Sequence, residues 1–122
     1  MTTKQVTIYH NPSCSKSRRA LEILLAQGIQ PKVIEYLQNP PDKTKLENLL
    51  AMLELQPEQL VRTREAAMHI SEGKQPKNTD QWLDLLHNHP ETMQRPIVTV
   101  GNKAIIGRPP EKVLELLNAM EQ

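Results

Sequence analysis

Residues Gln5-Val6-Thr7-Ile8-Tyr9 alternate, with Val6 and Ile8 on one side, which predicts a strand that the loop His10-Asn11-Pro12-Ser13 interrupts. From Ser15 onward the period lengthens. Leu21, Leu24 and Leu25 recur at helical spacing, and Gly28 stands where a helix ends. Pro31 to Tyr36 reads as a second strand, and a crossover of this length sets it parallel to the first, giving a βαβ unit. After Asn39-Pro40-Pro41, Asp42 can cap a helix whose Leu46, Leu49, Leu50 and Leu53 share one face. Pro57 suits the first turn of a short helix through Leu60 and Val61, and Thr79 can cap another carrying Trp82, Leu83 and Leu86. Between them, Arg64 to Asn78 shows little periodicity. Ile97 to Val100, the turn Gly101-Asn102 and Lys103 to Ile106 predict an antiparallel hairpin. A last helix follows Pro109-Pro110, with Val113, Leu116, Leu117 and Met120 on its apolar face.

The order is βαβ, a helical block over about residues 42–93, then ββα. It predicts an α/β chain with a four-stranded mixed sheet, arranged as a thioredoxin-like core with a helical insertion, in a single domain over residues 1–122. Fifteen basic and 14 acidic residues leave a net charge of +1, which gives no electrostatic footprint for nucleic acid. Two Tyr, one Trp and no Phe leave little to stack on bases. The longest apolar run is Leu49 to Leu53, too short for a bilayer, and the polar start lacks a signal-peptide apolar region, so a cytoplasmic protein without membrane contact is expected. Four scattered glycines make no phosphate-binding loop, and one Cys with four dispersed His makes no zinc spacing. No bound cofactor or metal is expected.

A single cysteine cannot close an intramolecular disulfide, so Cys14 is inert, reactive or intermolecular. It lies in His10-Asn11-Pro12-Ser13-Cys14-Ser15-Lys16-Ser17-Arg18, a polar and cationic segment at a predicted helix start, where free N–H groups favour thiolate over thiol. A buried structural Cys would rarely sit in such a loop. The spacing is C-x-x-S, with Ser17 where a dithiol oxidoreductase carries its second Cys, so a thiol from outside must resolve any adduct. A phosphatase-type loop would need Arg six positions on, where Ala20 stands. An oxyanion must therefore be gripped from elsewhere, and Arg62, Arg95 and Arg108 are candidates because a planar guanidinium binds oxyanions bidentately. Each alone reads more simply as an ordinary solvated surface residue, so the three positions do not carry the inference unaided. His10 either supports the thiolate or is a hydrogen-bonded structural histidine. Ser13, Ser15 and Ser17 are capping groups or substrate contacts. His87-x-His89 has the look of a metal pair, but without a third ligand nearby the two read as polar residues facing solvent. Met52, Met68, Met93 and Met120 are most simply core residues.

With Thr7-Ile8-Tyr9-His10-Asn11-Pro12 and Cys14, then Tyr36-Leu37-Gln38-Asn39-Pro40-Pro41, Arg95-Pro96-Ile97-Val98 and Gly107-Arg108-Pro109, the chain resembles the glutaredoxin-dependent arsenate reductases over nearly its whole length. The resemblance implies a thioredoxin-like fold, Cys14 as nucleophile and Arg62, Arg95 and Arg108 around the oxyanion, with His10 and Ser15 in support and a cis bond before Pro96. Arg64 is close enough in sequence to stand in for Arg62. The resemblance also implies arsenate as substrate, glutathione as co-substrate and glutaredoxin as the partner that clears glutathione from Cys14. Two other readings use the same fold. One is a monothiol glutathione-linked thiol transferase, which would not need Arg95 and Arg108; the other is a redox-sensing regulator that binds a protein partner without turnover.

Overall fold

The computed structural model describes residues 5–67, 69–70 and 75–120. Its contacts divide the chain into two compact units, residues 1–36 with 95–122, and residues 37–94.

The first unit holds a sheet of order β2-β1-β3-β4, made of β1 (Val6–His10), β2 (Lys32–Glu35), β3 (Ile97–Val100) and β4 (Lys103–Ile106). β1 and β2 run parallel, with His10 opposite Glu35, while β3 lies antiparallel to both β1 and β4. Two helices, α1 (Ser15–Ala26) and α5 (Lys112–Met120), cover one face. Alternation puts Val6, Ile8, Val98 and Val100 on that face, where they join Ala20, Ile23 and Leu24 of α1 and Val113 and Leu116 of α5 in one buried cluster. Gly28, at φ 78°, closes α1: the N–H of Gly28 reaches the Leu25 carbonyl and that of Ile29 reaches Leu24, a Schellman ending that only a residue at ease with positive φ permits. This is the four-stranded mixed sheet of a thioredoxin-like fold, with the parallel crossover and the hairpin expected from the sequence.

The second unit is helical. α2 (Lys43–Leu53), α3 (Thr63–Ala67) and α4 (Thr79–Asn88) are joined by 3₁₀ turns at Pro57–Leu60 and Pro90–Thr92. Asp42 caps α2 as predicted, its carboxylate accepting the Lys45 N–H at 2.8 Å. α4 departs by one residue: Asn78, not Thr79, is the cap, accepting the Gln81 N–H at 2.9 Å. α2 packs on α4, and Leu46, Leu49, Leu60, Leu83, Leu86 and Met93 are almost fully buried. Lys43 Nζ ties the helix starts together, 2.6 Å from Asp80 and 2.8 Å from Asp84. The stretch that looked aperiodic contains α3, whose single turn and a half is too short to show a period. Met52 is half-buried, and Met68 and the Met120 side chain lie outside the described residues. Among the described residues no helix is long and apolar enough to cross a membrane.

Candidate active site

β1 ends at His10, and a short turn delivers Cys14 to the start of α1. The turn is closed by its own groups. The Cys14 N–H donates to the Asn11 carbonyl at 3.0 Å, the Ser13 N–H to Asn11 Oδ1 at 2.9 Å, and Arg18 Nη1 to the Pro12 carbonyl at 2.9 Å. Cys14 occupies the N-cap position of α1, closes no ordinary cap hydrogen bond, and is half-buried. Burial alone would raise its pKa, but the backbone N–H groups of Ser17 and Lys16 and the Arg95 guanidinium together outweigh it, and the thiol lies below its ordinary value of 9.0. Two helix amides and one arginine thus favour the thiolate over the thiol.

Beneath the loop, His10 is 7% exposed and Ser17 is fully buried. His10 Nδ1 and Ser17 Oγ lie 2.6 Å apart, and Ser17 Oγ also accepts the Asn11 N–H at 3.0 Å. Burial lowers the His10 pKa, Arg18 lowers it further, and Glu35 opposes them from the neighbouring strand. His10 therefore reaches the cysteine through Ser17, whose side chain locks the loop while its amide faces the sulfur. Ser15 is exposed at the first residue of α1, and it is Ser17 that supports the loop from below. A signal for this existed: Ser17, Ala20 and Leu24 share one face of α1, so Ser17 points inward with the core.

Arg95 and Arg108 meet at the end of the sheet. Arg108 Nη1 donates to the Arg95 carbonyl at 3.2 Å, and the Gly107 N–H donates to the Pro96 carbonyl at 2.8 Å. The Arg95–Pro96 and Arg108–Pro109 bonds are both cis. Gly107 suits the close approach, since a Cβ there would sit 3.1 Å from Pro96 Cγ and 3.4 Å from Val113 Cγ1, and those side chains would have to give by a few tenths of an ångström. Cys14, Arg95 and Arg108 thus stand in one unit as a thiol with two cations, a set able to hold a tetrahedral oxyanion beside a nucleophile.

Arg62 belongs to the helical unit. Its N–H bonds the Thr92 carbonyl, its neighbour Val61 bridges Met93, and its Nε lies 3.3 Å from Glu65 Oε2. Nη1 is buried with no hydrogen-bond partner among the described residues, so this guanidinium has donor capacity left over. Arg64 is exposed on α3. His87 and His89 part company: His87 Nδ1 is 2.9 Å from the Pro41 carbonyl, whereas the His89 ring stacks on His69.

A profile of the ArsC family matches residues 9–116. An Escherichia coli K12 protein, the uncharacterized YfgD, is 40% identical over 94% of this chain and 98% of its own. An arsenate reductase of Rhizobium meliloti is 36% identical over 92% of this chain and 81% of its own. The solved structure of an arsenate reductase from Vibrio cholerae superposes with a TM-score of 0.86 at 39% identity, covering 93% of this chain and 98% of that one.

Proposed function

The chain belongs to the ArsC family, and from that premise we propose that it reduces arsenate to arsenite through Cys14, with glutathione and glutaredoxin supplying the reducing equivalents. The observation that carries the reading is the set of groups on one sulfur: the Ser17 and Lys16 amides and the Arg95 guanidinium favour a thiolate at a half-buried helix start.

In this reading Arg95 and Arg108 bind the arsenate oxygens, and their charge offsets that of the pentacoordinate species formed when the thiolate attacks arsenic. An arsenate oxygen takes up protons and leaves as water, and a Cys14 S–As bond remains. With Ser17 in place of a second cysteine, glutathione from solution attacks the Cys14 sulfur. The S–As electron pair returns to arsenic, which departs in the trivalent state as arsenite, and a Cys14–glutathione disulfide is left. Glutaredoxin attacks the glutathione sulfur, and the Cys14 thiolate is restored. The two electrons that arsenic gains are balanced by the disulfide formed. His10 and Ser17 act as positioning residues, holding the loop that presents the sulfur.

The experiment is arsenate-dependent NADPH oxidation in the presence of glutathione, glutaredoxin and glutathione reductase, comparing the natural chain with Cys14→Ser. Turnover that disappears with the thiol supports the reading. Absence of arsenate-dependent turnover, with Cys14 still titrating as a reactive thiol, would assign the same loop to thiol transfer on glutathionylated substrates or to redox-linked binding.

A further inference from the structure

His69, His89 and Glu91 lie in the helical unit, apart from the chemistry assigned to Cys14, and converge from two short segments. Their ligand atoms, one ring nitrogen from each histidine and a carboxylate oxygen, all fall within 4.8 Å of one another. His69 Nε2 and His89 Nδ1 each stand 3.8 Å from Glu91 Oε1. That distance is too long for a hydrogen bond. It is close to the edge of a tetrahedral zinc site, where bonds of about 2.0–2.1 Å put neighbouring ligand atoms about 3.3 Å apart. For these two edges the remaining gap is about half an ångström, and the third edge, between the two histidines, lies within 4.8 Å.

The backbone prepares two of the three ligands. The His89 N–H bonds the Leu85 carbonyl at the end of α4, Thr92 bonds back to the His89 carbonyl through both N–H and Oγ1, and the Met93 N–H bonds Pro90. Thr92 is fully buried, so the turn carrying His89 and Glu91 is anchored in the unit's interior. His69 follows α3, its N–H bonded to the Ala66 carbonyl. The two rings stack with centroids 3.8 Å apart and planes 17° from parallel, which keeps the two imidazoles side by side at the mouth of the site. His69 and His89 also line a cavity of about 470 Å³ with Gln81, Asp84 and Leu85, so a fourth position beside the rings has room for water or a small ligand.

We propose that His69, His89 and Glu91 form a site for a divalent cation of the zinc class, three-coordinate from the protein and open toward the adjoining cavity. Loading turns both rings about χ2 so that each nitrogen lone pair meets the ion in its ring plane, and the stacking is lost. The side chains are 28% and 40% exposed, which leaves the rings space to turn.

The test uses the untagged full chain stripped with a chelator. Zn²⁺ titrated against a chromophoric chelator is expected to bind at one equivalent. Glu91→Gln and His69→Gln are each expected to weaken it by at least about 100-fold, since removal of a direct ligand exceeds the 10–100-fold loss seen for outer partners. Cys14→Ser is expected to leave stoichiometry and affinity unchanged. On the unsubstituted chain, imidazole ¹⁵N resonances of His69 and His89 are expected to shift with Zn²⁺ while those of His10 and His87 stay. This readout decides the matter even where a variant folds poorly. Unsaturable uptake, affinity unchanged in Glu91→Gln, dependence on Cys14, or shifts at His10 or His87 in place of His69 and His89 would each overturn the site.

Discussion

The helices of the two units begin in different ways. In the helical unit, α2 and α4 each start with a side-chain oxygen, Asp42 on the Lys45 N–H and Asn78 on the Gln81 N–H. In the sheet unit, α1 starts with Cys14, and the amides that an oxygen would have satisfied, those of Lys16 and Ser17, stabilise a thiolate. The same unpaired donors serve two ends. At α2 and α4 they contribute about 1 kcal/mol each to stability at any pH where the cap is intact. At α1 they contribute only as the sulfur ionises. The folded-state pKa of Cys14 lies below 9.0, so the stabilisation is complete above that value and is lost as pH falls through the folded pKa. A helix start can thus hold a fold or prepare a nucleophile, and the capping atom decides which.

Replacing that atom is the strongest way to break the comparison. Cys14→Ser supplies a good neutral cap and removes the thiolate, so arsenate turnover is expected to fall by at least about a thousandfold while the thermal midpoint is held or raised. A variant that keeps measurable turnover in steady-state assays would remove Cys14 from the chemistry. Arg95→Ala comes next. The cation beside the sulfur is lost, and kcat/KM is expected to drop by about 1–3 kcal/mol in transition-state terms, about 5-fold to 150-fold. The pH profile of Cys14 alkylation should move upward as well, because a cause of the lowered pKa is gone. An unmoved profile would assign the thiolate to the helix amides alone. Full retention of glutathionylated-substrate reduction in the same variant would favour the transferase reading.

Much of this was legible in the chain, for identifiable reasons. The alternation of Val6 and Ile8, the leucine stripe of α2 and the turn at Gly101-Asn102 are local signals, and they produced the strands, the helix and the hairpin where they stand. Cys14 at a helix start was readable from the polar loop before it. The residues that escaped depend on the path the chain takes in three dimensions. His87 and His89 looked like a pair because they are adjacent in number, yet the fold sends His87 to Pro41 and stacks His89 on His69. Asn78 displaced Thr79 as a cap because the two candidates are neighbours and only the chain's path chooses between them. Ser17 read as the place of an absent cysteine, and its hydrogen bonds to His10 and Asn11 require the end of β1 to lie over the first turn of α1.

Two smaller perturbations sharpen the contrast between the helix starts. Ser17→Ala leaves the buried His10 Nδ1 and the Asn11 N–H without their shared partner, at an expected cost of about 1–3 kcal/mol in denaturant unfolding. Its backbone N–H remains, so the alkylation profile should move less than in Arg95→Ala. An equal or larger movement would make the hydroxyl, and with it His10, the main support of the thiolate. The pH sign is fixed by His10, whose folded pKa lies below 6.5: stability is present above that value and declines as pH falls through the folded pKa, and with the Ser17 bond gone this acid slope should change. Asp42→Ala is the smallest. It removes an exposed cap in the other unit, with an expected loss of about 1 kcal/mol, visible as a lowered urea midpoint with unchanged slope. Because its oxygen does nothing but satisfy an amide, the Cys14 alkylation profile should be identical to that of the natural chain. A shifted profile would mean that the start of α2 and the start of α1 are energetically coupled, and that the two uses of a helix terminus cannot be treated as separate.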